Sequence, residues 1–349
     1  MKRLIPLLFS LPLLAATPSA PADTLLEDGH YKRARALAEE RLRTSPNDPE
    51  TLWLVSHVKQ AWQDLNAGVE FAEKAVAADP KSARYHLRLA EALGEAAQKA
   101  GVLKQIGLAR RFKKEIDTTI ALDPHNADAL TYLMEFYVQA PGIVGGDKTK
   151  AHAIPEQILA FDPVKGAFAQ VALANHDKQR DGIEQFYRKA VEARPASYEA
   201  HTALGGFCFA QKKFDEAEQH SREAIRINAG RAGGHALRVA ALIQQTKWAE
   251  VDPALAEAEK QVPDNLWPYF RAGNNCLALK TELPRAERYF RKYLAQEPEP
   301  DMPSHAAAHW RLALVLEQQA RKQDAIAELQ TAVKMDSNSP AKQDLKRLK

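Results

Sequence analysis

Apolar residues recur along this chain at steps of three and four, the period of an amphipathic α-helix, and short clusters of Asn, Asp, Gly and Pro cut that pattern into segments. The cuts are themselves periodic. Prolines that follow acidic or polar turns stand at Pro46, Pro80, Pro124, Pro163, Pro195, Pro263 and Pro298, and Ala229 and Ser337 fill the same slot elsewhere. The intervals between these marks are 34, 44, 39, 32, 34, 34, 35 and 39 residues. Self-similarity at such a period signals an array of repeated supersecondary units. A proline at the mark ends the second helix of its unit, because it lacks an N–H and its ring clashes with the preceding turn.

The interior of each unit keeps the same phase. Twelve residues before the mark lies a small side chain, at Ala34, Gly68, Ala151, Ala217, Ala286 and Ala325. Five before it lies alanine again, at Ala75, Ala190, Ala224, Ala258 and Ala332. Small residues at fixed places let two helices approach closely. A bulky residue stands three before the first alanine, at Tyr31, Leu65, Phe214, Trp248 and Leu283. The unit ending at Ala229 is the clearest: it predicts a first helix over 197–211, with Leu204-Gly205 at its centre, a turn at 212–215 and a second helix over 216–227.

This pattern of Leu-Gly in the first helix, Ala in the second and Pro at the end resembles the tetratricopeptide repeat (TPR) family. The resemblance covers residues 23–337. It implies an all-α fold, a right-handed superhelical solenoid of about eight to nine helix-turn-helix units. Residues 338–349 read as a C-terminal capping helix, with Ser339 as N-cap, Pro340 at its first position and a mostly polar outer face. The first unit is truncated, so the sequence predicts it to be the least ordered.

Three stretches break the phase. Ten extra residues around Gly94 to Arg111 predict two lengthened helices. Glu297 to Pro303 is a stiff proline-rich connector. The third is Ala140-Pro141-Gly142-Ile143-Val144-Gly145-Gly146-Asp147. It resembles an Ala-Pro-Gly-x-x-Gly-Gly loop of exported bacterial TPR proteins and of the TPR partners of TRAP-type transporters. Its spacing approaches a phosphate-binding loop, but Asp147 replaces the glycine before lysine and no strand precedes it, which argues against nucleotide binding. The simpler reading is that Pro141 ends one helix, the glycines turn the chain and Asp147 caps the next. Pro155 is expected to kink that next helix or shift its start.

Composition changes this picture little. Lys2 and Arg3, an apolar run from Leu4 to Ala16, and Ala20-Pro21-Ala22 read as a signal peptide over residues 1–22, cleaved before Asp23. No lipid-anchor cysteine follows, so the expected location is periplasmic or secreted. Cleavage removes two cations and no acid, so the balance falls from +3 to +1. A near-neutral chain gives no electrostatic case for nucleic acid. Cys208 and Cys276 hold the same slot two repeats apart, beyond disulfide reach, and are expected to be free buried thiols. His305 and His309 have a spacing that suits a metal, but His86, His201, His235 and His309 share the fourth position of their helices, which points to packing. With no nucleophile elbow and no distinctive carboxylate pair, the chain is expected to be neither an enzyme nor a cofactor binder.

The resemblance implies a concave surface lined by the first helix of each unit. By phase this gives Trp53, His57, Gln60, Arg84, Glu91, Asp128, Thr131, Glu135, Thr202, Phe209, Trp267, Phe270, Asn274 and Trp310 as partner-binding candidates. Pro141, Gly142, Gly145, Gly146 and Asp147 are the candidates in the loop. The expected function is a non-catalytic scaffold holding a protein or peptide. The alternative is a transporter-associated protein that binds or channels a small solute.

Overall fold

The computed structural model describes residues 21–349. The expected leader at 1–22 therefore lies almost wholly outside the described residues. Among those residues all regular structure is helical. Nine helix pairs follow in order: α1 (Ala22–Glu27) and α2 (Tyr31–Thr44), α3 (Pro49–Ala61) and α4 (Leu65–Ala78), α5 (Ala83–Gln98) and α6 (Val102–Leu122). Next come α7 (Ala127–Gln139) and α8 (Lys148–Leu159), α9 (Pro163–His176) and α10 (Ile183–Ala193), α11 (Tyr198–Ala210) and α12 (Phe214–Ile227). The last are α13 (Ala232–Gln244) and α14 (Trp248–Gln261), α15 (Trp267–Leu279) and α16 (Leu283–Leu294), α17 (His305–Gln318) and α18 (Lys322–Met335), closed by the cap α19 (Ala341–Leu348).

The repeat residues do what their spacing demands. The bulky marks Tyr31, Leu65, Phe214, Trp248 and Leu283 are each the first residue of a second helix. The alanines of both small slots are buried, so the paired helices close over them. First helices begin on side-chain caps: Asp48, Ser82, Asn126, Asp162, Ser197 and Ser304 each accept a backbone N–H of the first turn. Pro163 departs from expectation. It does not simply follow a helix end but occupies the first position of α9, where its missing N–H costs nothing. Pro155 sits inside a continuous α8.

The shared histidine slot is structural. His86 Nε2 donates to the carbonyl of Pro80 (3.1 Å), His201 Nε2 to Pro195 (3.0 Å) and His235 Nε2 to Ala229 (2.9 Å). A carbonyl can only accept, so the proton lies on Nε2, and each ring ties its helix to the turn six residues before it. His309 meets Glu328 at 2.6 Å instead, and His305 Nε2 donates to Gln296 O. The thiols of Cys208 and Cys276 are free and buried.

First helices stack along one row, α3 on α5, α7 on α9, α11 on α13, α13 on α15 and α15 on α17. Second helices make no comparable row. In a curved stack the inner elements crowd and the outer ones splay, so the first helices line the concave side. The row is interrupted between α5 and α7 and again between α9 and α11.

The array also closes on itself. The truncated first unit, expected to be loosest, is tied to three turns of the C-terminal half. Asn228 Nδ2 donates to Asp28 at 2.9 Å. Asp264 faces His30 Nδ1 at 2.9 Å and Arg33 Nε at 2.8 Å. Lys32 Nζ reaches Glu297 O at 2.6 Å, and the Lys32 N–H donates to Glu299 at 3.0 Å. His30, the residue ahead of α2, makes no side-chain cap, and the carboxyl oxygen of Glu299 caps that helix from 267 residues away. Glu299 is buried, and burial raises its carboxyl to about 7.

Candidate functional site

The first of those interruptions, between α5 and α7, is occupied by a cleft of about 610 Å³. Its walls follow from the two central breaks in phase. The ten added residues lengthen α5 and α6, which then overhang the next unit. The loop after α7 folds back toward that overhang: Gly142–Val144 forms a 3-10 turn in contact with α6. Gly145 has φ of +108°, the left-handed region that favours glycine. A Cβ on Gly146 would lie 1.8 Å from the carbonyl oxygen of Ala140, so that position admits no side chain. Asp147 then caps α8 by accepting from the Lys150 N–H at 3.1 Å, which lowers its own pKa.

The floor is apolar. Phe112 of α6 stacks on Phe136 of α7 with ring centroids 5.9 Å apart. Ile106, Ala109, Pro141 and Val144 complete it. At the rim stand Val102 and Ile143, 73% and 87% exposed, and beside Val102 lies Leu103 at 89%. These are three of the six large apolar side chains that the described residues leave exposed.

One wall carries charge. Arg88, buried, donates from Nε to Ser56 Oγ at 2.9 Å and from Nη1 to Glu91 at 3.0 Å. Its Nη1 also lies 3.3 Å from His57 Nδ1. Burial first, then Arg88 and Arg84, hold His57 well below the usual imidazole range, so the ring is neutral and accepts. Glu91 takes a second bond from Tyr132 OH at 3.3 Å, the one side-chain hydrogen bond linking α5 to α7 among the described residues. Burial raises Glu91, with Arg88 and Tyr132 opposing it, and burial alone raises Glu135. Burial and Asp301 raise Tyr31 of α2, with Arg88 opposing and Glu95 and Glu91 adding.

The predicted candidates fall into separate groups. Glu91, Glu135 and Pro141 share the cleft. Trp53 is buried under the Arg84 guanidinium, 3.7 Å above its ring, and meets His57 edge-on. Arg84 also pairs with Asp23 and Glu50. Gln60 is buried between repeats and donates to Ala92 O. Asp128 pairs with Lys165, and the Thr131 and Thr202 hydroxyls bond to the carbonyls of Ala127 and Tyr198 within their own helices. Phe209 lies under Arg271 and against Phe214. Phe270 belongs to the core, packed on Phe290 and Tyr293, and Trp267 is half-buried against that core. Asn274 is half-buried on α15. Trp310 Nε1 donates to Asp344 of the cap at 2.8 Å. Gly142 and Gly145 are exposed. Sequence reading missed Glu95, Val102, Phe112 and Ile143. The one available signal was an apolar Val102-Leu103 pair opening a helix inside the insertion.

Comparison with known proteins agrees with the repeat reading. Residues 167–232 and 281–340 match the tetratricopeptide repeat family model. Residues 19–139 match the model described as regulator of microtubule dynamics protein 1-3. No curated protein matches the chain. Among solved structures, yeast Tom70 is similar at 14% identity and TM-score 0.48, over 94% of this chain and 86% of its own. A thermophilic TPR protein from Thermus thermophilus is similar at 22% identity and TM-score 0.46, over 53% of this chain and 94% of its own. A tetratricopeptide repeat protein from Parabacteroides merdae is similar at 14% identity and TM-score 0.46, over 74% and 98%.

Proposed function

We propose that this chain, which carries tetratricopeptide repeats, is a non-catalytic scaffold that holds a protein or peptide segment along its inner row of helices, and that it does so in the periplasm after loss of residues 1–22. The repeat fold suggests protein interaction, and nothing points to enzyme activity. The observation that carries the reading further is the closure of the array. An inner surface bounded by the first unit on one side and by the turns at Asn228, Asp264 and Glu299 on the other suits an extended or helical segment better than a folded domain. No helix among the described residues is long and apolar enough to cross a membrane. The second reading, a small solute, is favoured by the cleft alone, whose volume lies in the range of small-molecule sites.

A photo-crosslinking residue placed at Thr202, Asn274 or Glu135 should capture one polypeptide in the native compartment, while the same residue at Lys334, exposed on α18, should not. Equal capture from both faces, or none from the inner face, would overturn the scaffold reading. Fractionation with N-terminal sequencing tests the location. A chain starting at Asp23 in the periplasmic fraction is expected, and a cytoplasmic chain starting at Met1 would refute it.

A further inference from the structure

We infer that the cleft between α5, α6 and the loop after α7 is a specificity pocket for a basic side chain, Lys or Arg, carried on an otherwise apolar stretch of the bound segment. The inference rests on the scaffold reading above and names what that scaffold selects.

Two observations carry it. The first is charge. The residues lining the cleft include three carboxylates, Glu91, Glu95 and Glu135, and no Lys or Arg. Arg88 compensates Glu91 from behind the wall. Neither Glu95 nor Glu135 has a hydrogen-bonded or ion-paired partner among the described residues, and no cation lines the cleft beside them. Two uncompensated carboxylates above an apolar floor select a cation whose carrier is apolar, because an anion would be repelled and a neutral group would leave both unmatched. The raised carboxyl of Glu135 is the consequence expected of a partly desolvated acid without a counter-ion.

The second is the rim. Val102 and Ile143 line the cleft yet stay 73% and 87% exposed, which puts them at its mouth rather than in its floor, and the exposed Leu103 adjoins Val102 in sequence. An occupant confined to the cleft would leave them in water. A chain segment that continues past the mouth would cover them, and this favours a peptide over a small amine. Exposed apolar groups around a concave polar-tipped site are the usual marks of a recognition pocket. The long stem of a Lys or Arg suits such a site, since it packs on aromatic rings such as Phe112 and Phe136 while its head reaches the acids.

The test uses the full mature chain and three fluorescent twelve-residue peptides of alternating Leu with Lys, Leu with Gln, or Leu with Glu, read by anisotropy at low salt. The Leu-Lys peptide should bind, and the other two should bind at least about tenfold more weakly. Glu95→Gln with Glu135→Gln should weaken the Leu-Lys peptide about tenfold while leaving the melt unchanged, since neither side chain is paired. Ile143→Ser with Val102→Ser should weaken it independently of salt. Equal binding of the Leu-Gln or Leu-Glu peptide, or indifference to the Gln pair, would overturn the charge assignment while leaving the scaffold reading intact. Dodecylammonium, a small apolar amine, should not compete at concentrations where the peptide binds. If dodecylammonium binds and no peptide does, the scaffold reading itself fails in favour of a solute.

Discussion

The last three units and the two central ones are made of the same repeat, yet they pack differently. From α13 to the cap α19 a single core runs without a gap from Val239 to Leu348, with Tyr289, Phe290 and Tyr293 fully buried in it. Between α4 and α9 the core is broken up: one cluster on α4 to α6 and another on α7 to α9 meet without merging, and the cleft lies at their seam. The difference is one of phase. In the last three units the helices keep ordinary lengths, and the extra residues of the last interval lie in the connector before α17, so the small residues stay in register and each helix finds its neighbour. The added residues fall mostly on α6, which has 21 residues, while α5 has 16, against 13 and 14 in α3 and α4, so α6 gains about 10 Å and α5 about 4 Å. That overhang has no partner in the next unit, and the loop after α7 meets it only in part. A regular repeat makes a wall; an irregular one makes a site.

That contrast can be broken most directly at its aromatics. Phe290→Ala should cost about 3–5 kcal/mol in urea unfolding, since it empties a closed core. Phe112→Ala, half-buried at the seam, should cost about 1–2 kcal/mol. Similar losses from both would mean that the central units are as tightly packed as the last ones.

Next in size is the tie between the two ends. Glu299 is raised from an ordinary carboxyl value of 4.5 to about 7 by burial, with Lys32 and His30 opposing and Asp264 adding. The neutral form is therefore the one the folded chain favours. Its contribution is complete below about pH 4.5 and is lost as pH rises through about 7, a change of about 1–3 kcal/mol. Hydrogen exchange of the α1–α2 amides should accelerate across that window beyond the intrinsic rate. Glu299→Gln, which keeps an acceptor for the Lys32 N–H, should remove that pH dependence. An unchanged pH profile in the Gln variant would show that another group controls the closure.

The smallest effect should be in the loop. Gly146→Ala places a methyl against the Ala140 carbonyl, so the chain after α7 must shift at a cost of about 1–2 kcal/mol. The C-terminal core should be untouched, and α8 amides should lose protection while those of α15 and α16 do not. Uniform loss of protection would join the two regions that packing separates.

Much of the architecture could be read before any coordinate. The alanines at the two small slots, the bulky first residues of the second helices and the histidines at the fourth position are set by interactions a few residues apart, or across one helical hairpin. Gly145 and Gly146 were legible for the same reason, being required by backbone geometry at single positions, whereas Gly142 meets no such demand. The inner-face candidates were less so. Phase places Phe270 and Glu135 on first helices alike, but whether such a residue faces a channel or a neighbour depends on how far the next unit has rotated. Phe270 meets Phe290 and Tyr293 and is core; Glu135 meets the open seam.

Periodicity along the chain, then, specified the helices, their pairing and their stacking as a repeated array, because the packing of one helix pair on the next follows local rules. The closure of the array and the existence of the cleft were settled in three dimensions. Lys32 and Glu299 are 267 residues apart, and no local pattern marks them as partners. Their meeting depends on curvature summed over every intervening unit, including the lengthened pair whose overhang also opens the cleft.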